Sequence, residues 1–544
     1  MNTRPQRILL LSALMLLAFA LRWVDISTES LWVDEIYSYR QAIKPIANII
    51  ANSQADVHPP VYYILLHCWA MLFGTSEAGL RGFSLFCGVL AVPLMYLLGK
   101  RVWNPRIGMI AAFLLAISHF HIHYSQETRS YSYLVLVSIG GMLGFMRLWD
   151  EIRENIRTGN TTLISRQTAL LFVFAHILLL YSHFFALFLV VAENVFVASL
   201  WFFRKDVFLR FWKRWFILQV VLLLIFTPWL NVLYWQIQAV QQGFWIDRPT
   251  VFVLGETLVE YCGSLLASLV MMPLLVLAFV EIRSQNSRNA EGKATMLYRI
   301  QSSEPLHIWF LWLCVTLTIL IPFVKSLKGT PIYYVKYTIP ALPAFLLLVA
   351  KGVDAWEWRR WYGKIATGGV LLALAAIAAY NTRNDWNALE KERWRDAAVY
   401  LAGLHSSEHS SGNSSGNTAK ELVFVHDWYC WYNLAYYGAS TTTELHALPP
   451  ERLRITSETW QRLYASRIAG REQIYLVLSH RTGKTQAILD GIERDFTRLS
   501  DTVFPSRYRK YVVSDSFPQQ TRAIFLMKTY LSNDIRVIRY KRKI

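Results

Sequence analysis

The run 8–21, ILLLSALMLLAFAL, holds one serine among 14 residues and no charge. Runs of the same kind recur at 107–117, 170–180 and 370–379 with polar breaks between them, the pattern of a chain that crosses a bilayer many times. Composition agrees. Of 544 residues 54% are hydrophobic and only 17% charged, a balance that excludes extended disorder and departs from ordinary soluble domains. The 55 Lys and Arg against 37 Asp and Glu give a formal charge of +18. Many of these basic residues sit in short loops between apolar runs, so they are read as setting membrane orientation, with no nucleic-acid partner implied. The five cysteines form no CxxC or Cys/His metal spacing.

Apolar windows near 8–24, 80–99, 107–122, 131–148, 168–182, 184–203, 215–234, 264–281, 306–324, 338–350 and 365–380 predict about eleven transmembrane helices. With the amino terminus inside, the inner loops carry roughly three times as many Lys and Arg as the outer ones, among them Lys100, Arg101, Arg204, Lys205 and Lys351. An odd number of crossings puts the residues after about 382 outside the cytoplasm, in a plasma (inner) membrane protein. The basic start and Ala18-Phe19-Ala20 also fit a cleaved signal peptide, but cleavage would leave every later loop on the same side. The motifs described below favour retention.

Two domains are expected: a multispanning domain over 1–381 and a soluble, extracytoplasmic α/β domain over 382–544. In the second, 421–426, 473–479, 510–514 and 523–528 read as strands, 390–404 and 451–468 as helices, and 406–418 as a Ser/Gly/Asn loop. It has no phosphate-binding Gly loop, no G-x-S-x-G elbow and no HExxH. An accessory or acceptor-docking role follows.

Polar residues concentrate at the outer ends of the spans. After the first comes LWVDEIYS (31–38), whose Asp34 and Glu35 suit proton transfer or cation binding, or else a solvated loop. His58-Pro59-Pro60-Val61-Tyr62-Tyr63 follows, with two prolines stiffening the start of an apolar helix and His58 either functional or incidental. In the stretch 119–131, Glu127 and Arg129 are costly to bury unless paired or placed at a polar cavity. On a helix, His119, His121 and His123 point different ways and make no metal triad. His183, in Tyr181-Ser182-His183, reads as an interfacial packing residue. Lys336, among the tyrosines of YYVKYTIPALP (333–343), either snorkels or offers its ammonium to a lipid phosphate. Glu193, in mid-span, should face the bundle interior, with His176 as a partner.

In this order LWVDEIYS, HPPVYYILL with Gly74, Glu77, Arg81 and Ser84 downstream, YSQETRSYS, YSHFF and YYVKYTIPALP resemble the bacterial branch of the protein O-mannosyltransferase family. They are also similar to the aminoarabinose transferases of lipid A and the galacturonosyltransferases of lipopolysaccharide core. The resemblance spans about 8–350. It implies a GT-C fold and a glycosyltransferase that takes a hexosyl or pentosyl unit from a polyprenyl phosphate at the outer membrane face. By resemblance Asp34 is the acidic residue of the first outer loop, Glu127 and Arg129 the polar motif of the second, and Lys336 the basic residue, commonly Arg, ahead of the Pro-rich helix.

The implied chemistry is a single inverting displacement. A sugar phosphate already has a good leaving group, so the protein must supply a base and positive charge. Asp34 accepts the acceptor proton, with Glu35 or Glu127 orienting it. Lys336, Arg129 and His58 bind the donor phosphate, and Tyr131, His183 and Tyr337 line the substrate site. No cofactor is certain. A divalent cation held by Asp34 and Glu127 stays open, as does the acceptor, whether lipid, glycan or protein. The alternative is a transporter or flippase of an anionic lipid or lipid-linked sugar. It calls for midplane ionisable residues and related halves, and the sequence offers mainly Glu193 and no convincing internal repeat.

Overall fold

The computed structural model describes residues 4–160, 164–241, 246–288, 304–355, 361–386, 391–409, 420–426, 428–448, 464, 466–479, 485–513, 526–532 and 534–543. Contacts divide the chain into two units, one of 1–24 with 41–383, the other of 25–40 with 384–544.

The first unit is helical. Among the described residues eight helices are long and apolar enough to cross a membrane, or up to ten if each of two bent pairs is one span. Each of the eleven apolar windows of the sequence falls on a helix, and the lower count has identifiable causes. Arg166–Leu180 has only 15 residues, short of a ~30 Å hydrocarbon core. Pro105–Ile117 with His119–Ser125 bends by 57°, and Phe252–Cys262 with Leu265–Ala278 by 91°.

Local sequence explains these breaks. At the first, Ser118 is extended, with ψ 111°, and its hydroxyl accepts from the His121 amide, capping a new helix after Ile117. At the second, Gly263 takes φ +92°, the left-handed conformation that closes helix Phe252–Cys262. The first bend also brings in a charge from another span. Arg22, fully buried near the end of helix Arg4–Trp23, donates to the carbonyls of Ala18, Leu115 and Ala116, to Ser125 Oγ, and to His121 Nδ1 at 3.0 Å. Its guanidinium thus serves the last-turn carbonyls of helix Pro105–Ile117. Helix Arg4–Trp23 also sets Leu14 and Ala18 into an apolar cluster with Val92, Tyr96, Met109, Ala112 and Ala116. Glu193 meets His176 as expected, Nε2 to Oε2 at 2.8 Å, both side chains buried.

The second unit is built on a mixed sheet. Its strands are β1 (Glu421–His426), β2 (Thr443–Ala447), β3 (Gln473–Leu478), β4 (Phe496–Phe504), β5 (Arg507–Val513), β6 (Leu526–Ser532) and β7 (Ile535–Arg542). Five of them form one sheet in the order β2-β1-β3-β7-β4, while β5 and β6 make a separate antiparallel pair. β1 runs parallel to β2 and β3, and β7 antiparallel to β3 and β4. Alternation along β1 and β3 divides two cores. Leu422, Phe424, Ile474 and Leu476 pack on one face with Ile488 and Ile492, and Val423, Val425, Tyr475 and Val477 on the other with Trp394, Ala398 and Leu401.

The sequence expectations met this domain unevenly. The strands foreseen at 421–426 and 473–479 are β1 and β3, and those at 510–514 and 523–528 overlap β5 and β6. The helix foreseen at 390–404 runs Trp394–His409, so it takes up the start of the expected Ser/Gly/Asn loop. The rest of that loop, and most of the helix expected at 451–468, lie outside the described residues. β2, β4 and β7 were not anticipated.

Candidate active site

In the first unit the chain segments singled out by sequence converge on His183. His58 lies just before helix Val61–Phe73, whose first amide, Val61, donates to the Tyr181 carbonyl at 3.4 Å and ties this segment to the Tyr181–His183 turn. Proline at the start of that helix costs no hydrogen bond, since first-turn amides have no helical partner. Arg129 sits in the loop between helices His119–Ser125 and Tyr131–Thr158. Its backbone is pinned by its own amide on the Glu127 carbonyl at 2.8 Å and by Ser84 Oγ on its carbonyl at 3.2 Å. Lys336 and Tyr337 come from a 3-10 helix, Val335–Ala341.

The side chains then form a connected set. Arg129 Nη2 donates to His58 Nε2 at 3.3 Å, and His58 Nδ1 donates to Asp56 Oδ2 at 2.9 Å. The ring centroid of His183 lies 6.0 Å from His58, 5.3 Å from Tyr337 and 6.4 Å from Tyr131. Lys336 Nζ lies 5.4 Å from the Tyr131 ring centroid and 5.3 Å from that of Tyr334. Glu127, Arg129, Lys336, Tyr131 and His183 are all buried. Burial, followed by the charges of His58, Arg129 and Lys336, holds the His183 imidazole well below the usual histidine range. His183 is therefore neutral, and since its Nδ1 accepts from the Phe185 amide, its Nε2 carries the proton.

Such a set can bind an anion. Arg129 offers a planar fork, Lys336 a compact charge, and His183 a neutral donor. Glu127 Oε1 lies 3.6 Å from His123 Nε2, so two of the histidines of helix His119–Ser125 diverge: His121 faces Arg22 and His123 faces Glu127. Among the described residues no three His, Cys, Asp or Glu side chains come together as a metal site.

Asp34 and Glu35 belong to the second unit, in the first turn of helix Val33–Ala42. Adjacent positions on a helix point about 100° apart. Accordingly Glu35 is fully buried, with Oε2 accepting from Lys391 Nζ at 3.3 Å and the Trp32 amide at 3.4 Å, while Asp34 is half-buried. Sequence reasoning missed Asp56, Tyr334 and Lys391. Asp56 could have been suspected from its place two residues before His58, but nothing local marks Lys391.

Residues 57–235 match the family model described as dolichyl-phosphate-mannose-protein mannosyltransferase. No curated protein sequence matches the chain. Among solved structures, ArnT from Cupriavidus metallidurans in the apo state superposes with a TM-score of 0.56 at 12% identity, covering 98% of this chain and 97% of that one. The same protein bound to undecaprenyl phosphate gives 0.55 at 11% identity, covering 99% and 98%. At such identity the likeness speaks for the fold, and it extends along both chains. The family match thus covers residues 57–235, about a third of the chain, and the fold of the whole is similar to that of ArnT.

Proposed function

We propose that the protein is an inverting glycosyltransferase that moves a sugar from a polyprenyl phosphate to an acceptor hydroxyl at the outer face of the plasma (inner) membrane. The observation that carries this reading is the convergence around His183 of two cations, Arg129 and Lys336, and of His58, which holds the Arg129 fork. An anionic leaving group needs such a site, because charge builds on the phosphate as the glycosidic bond breaks. That ArnT, similar in fold, has been solved with undecaprenyl phosphate supports a lipid phosphate as the donor class.

In this mechanism Arg129 and Lys336 hold the phosphate oxygens. His58 fixes the Arg129 fork, His183 donates through Nε2, and Tyr131 and Tyr337 line the sugar-binding space. Asp34 accepts the proton of the acceptor hydroxyl as that oxygen attacks the anomeric carbon, and the sugar–phosphate bond breaks on the opposite side. Glu127 orients the reacting groups. The domain over 382–544 is extracytoplasmic. Mass spectrometry of lipid-linked sugars and envelope glycans, in cells with and without the gene, tests the reading. Loss of a glycan with accumulation of a polyprenyl-phosphate sugar is expected, and an unchanged pool of both would refute it.

A further inference from the structure

Residues 25–40 leave the first span and fold with the C-terminal domain, and the contacts are specific. The Leu31 amide donates to Tyr437 Oη at 2.6 Å, and the Leu31 carbonyl accepts from Asn433 Nδ2 at 3.2 Å. The Arg395 amide donates to Ser30 Oγ at 3.1 Å, and its guanidinium reaches the carbonyls of Ser27 and Thr28. The Lys391 amide donates to Glu29 Oε1 at 3.0 Å, Arg40 lies 3.4 Å above the Tyr432 ring, and Val33 packs on the core around Trp394. At the centre of these contacts stands the Lys391–Glu35 ion pair, with Glu35 fully buried and Lys391 nearly so.

These contacts bear directly on Asp34. The direction in which the half-buried Asp34 points follows the rotation of its short helix, so whatever holds that helix helps to set it. The neighbouring Glu35, pointing into the domain, supplies the anchor. A pair buried this deeply fixes geometry more surely than it adds stability, because two desolvated charges must meet in one arrangement or pay heavily for missing it.

We propose that the C-terminal domain is the positioning element for Asp34, and that Lys391 is a positioning residue acting through Glu35. This rests on the reading of Asp34 as the base. It assigns the domain a part in the chemical step, set by how it grips the loop, beyond accessory or acceptor docking.

The test uses the full-length chain and, as donor, the lipid-linked sugar fraction extracted from cells lacking the gene. Release of polyprenyl phosphate is the readout, since every transfer yields it whatever the sugar. Lys391→Met should lower kcat by about 10- to 100-fold, as small misplacements of catalytic groups do, with the donor KM within about twofold of the parent. Lys391→Arg should keep most of the rate. Lys391→Met combined with Glu35→Gln should regain part of it, because no unpaired carboxylate is left buried. Amide hydrogen exchange over 31–38 should quicken in Lys391→Met and slow again in Lys391→Arg. If Lys391→Met folds too poorly to assay, the Arg and double variants decide the matter. Parental kcat in Lys391→Met with a loosened loop overturns the proposal, as does an equal loss in the Met and Arg variants. Parental transfer by Asp34→Asn would instead remove the reading beneath it, whatever Lys391 does.

Discussion

His58 accepts a hydrogen bond from Arg129 at 3.3 Å through the nitrogen that Asp56, bonded at 2.9 Å to the other, leaves without a proton. The ring is thereby locked in one tautomer, and the Arg129 fork is aimed by a residue 71 positions away in sequence. Hydrogen bonds to charged groups are worth about 1.5–3 kcal/mol. His58→Ala should therefore weaken donor binding roughly tenfold to a hundredfold, read as the donor KM, and Asp56→Asn should do less. An unchanged KM in His58→Ala would leave the chain from Asp56 to Arg129 as packing alone.

Lys336→Ala should impair donor use far more than Lys336→Arg, since either cation neutralises a phosphate oxygen and Ala leaves it unmatched. Steady-state rates with the accumulated lipid-linked sugar check this. Parental behaviour by both variants would reduce Lys336 to an anchor between Tyr131 and Tyr334.

Asp34→Asn keeps the size of the side chain and removes the charge that a proton acceptor needs. A loss on the order of 10²- to 10⁴-fold in rate is expected, with detergent melting unchanged. Glu35→Gln should cost less, because it alters the support of the base and leaves the base in place. A larger defect in Glu35→Gln would show that the roles of the two carboxylates are reversed.

The carboxyl terminus is expected outside the cytoplasm. A reporter active only in the cytoplasm, fused after Ile544, should stay silent, and a strong signal would invert the proposed topology.

Glu193 and His176 are expected to act on stability alone. Interhelical polar pairs in membranes contribute about 0.6–2 kcal/mol, so Glu193→Leu should lower thermal stability in detergent by about that much. The double replacement with His176→Leu should be milder, and transfer per folded molecule should hold in both. A selective loss of rate would give this pair a part in the reaction.

The helices of the first unit were legible because apolar runs of spanning length have few other fates, and the polar cluster because its members sit at the ends of those runs. His183 was the exception. Alone in sequence it looks like interfacial packing, and its standing comes only from the His58, Arg129 and Lys336 side chains that three other segments bring to it. Sheet order was beyond reach, since β7, at the end of the chain, inserts between β3 and β4 and no local pattern encodes that. Glu35 shows the same limit more sharply. Its partner lies 356 residues away, so sequence presented two equivalent carboxylates where the fold buries one and leaves the other half-open.

Arg22 makes the first span more than a tether. Its guanidinium serves carbonyls of a different helix, at the bend that starts the segment leading to Glu127 and Arg129. An unrelated hydrophobic leader of equal length could insert just as well and still leave the buried Leu115 and Ala116 carbonyls without the guanidinium at the kink, a costly loss where no water can replace it. Residues 4–23 are thus not interchangeable with a generic membrane anchor, and swapping them would be felt first in the geometry of the loop that carries Glu127 and Arg129.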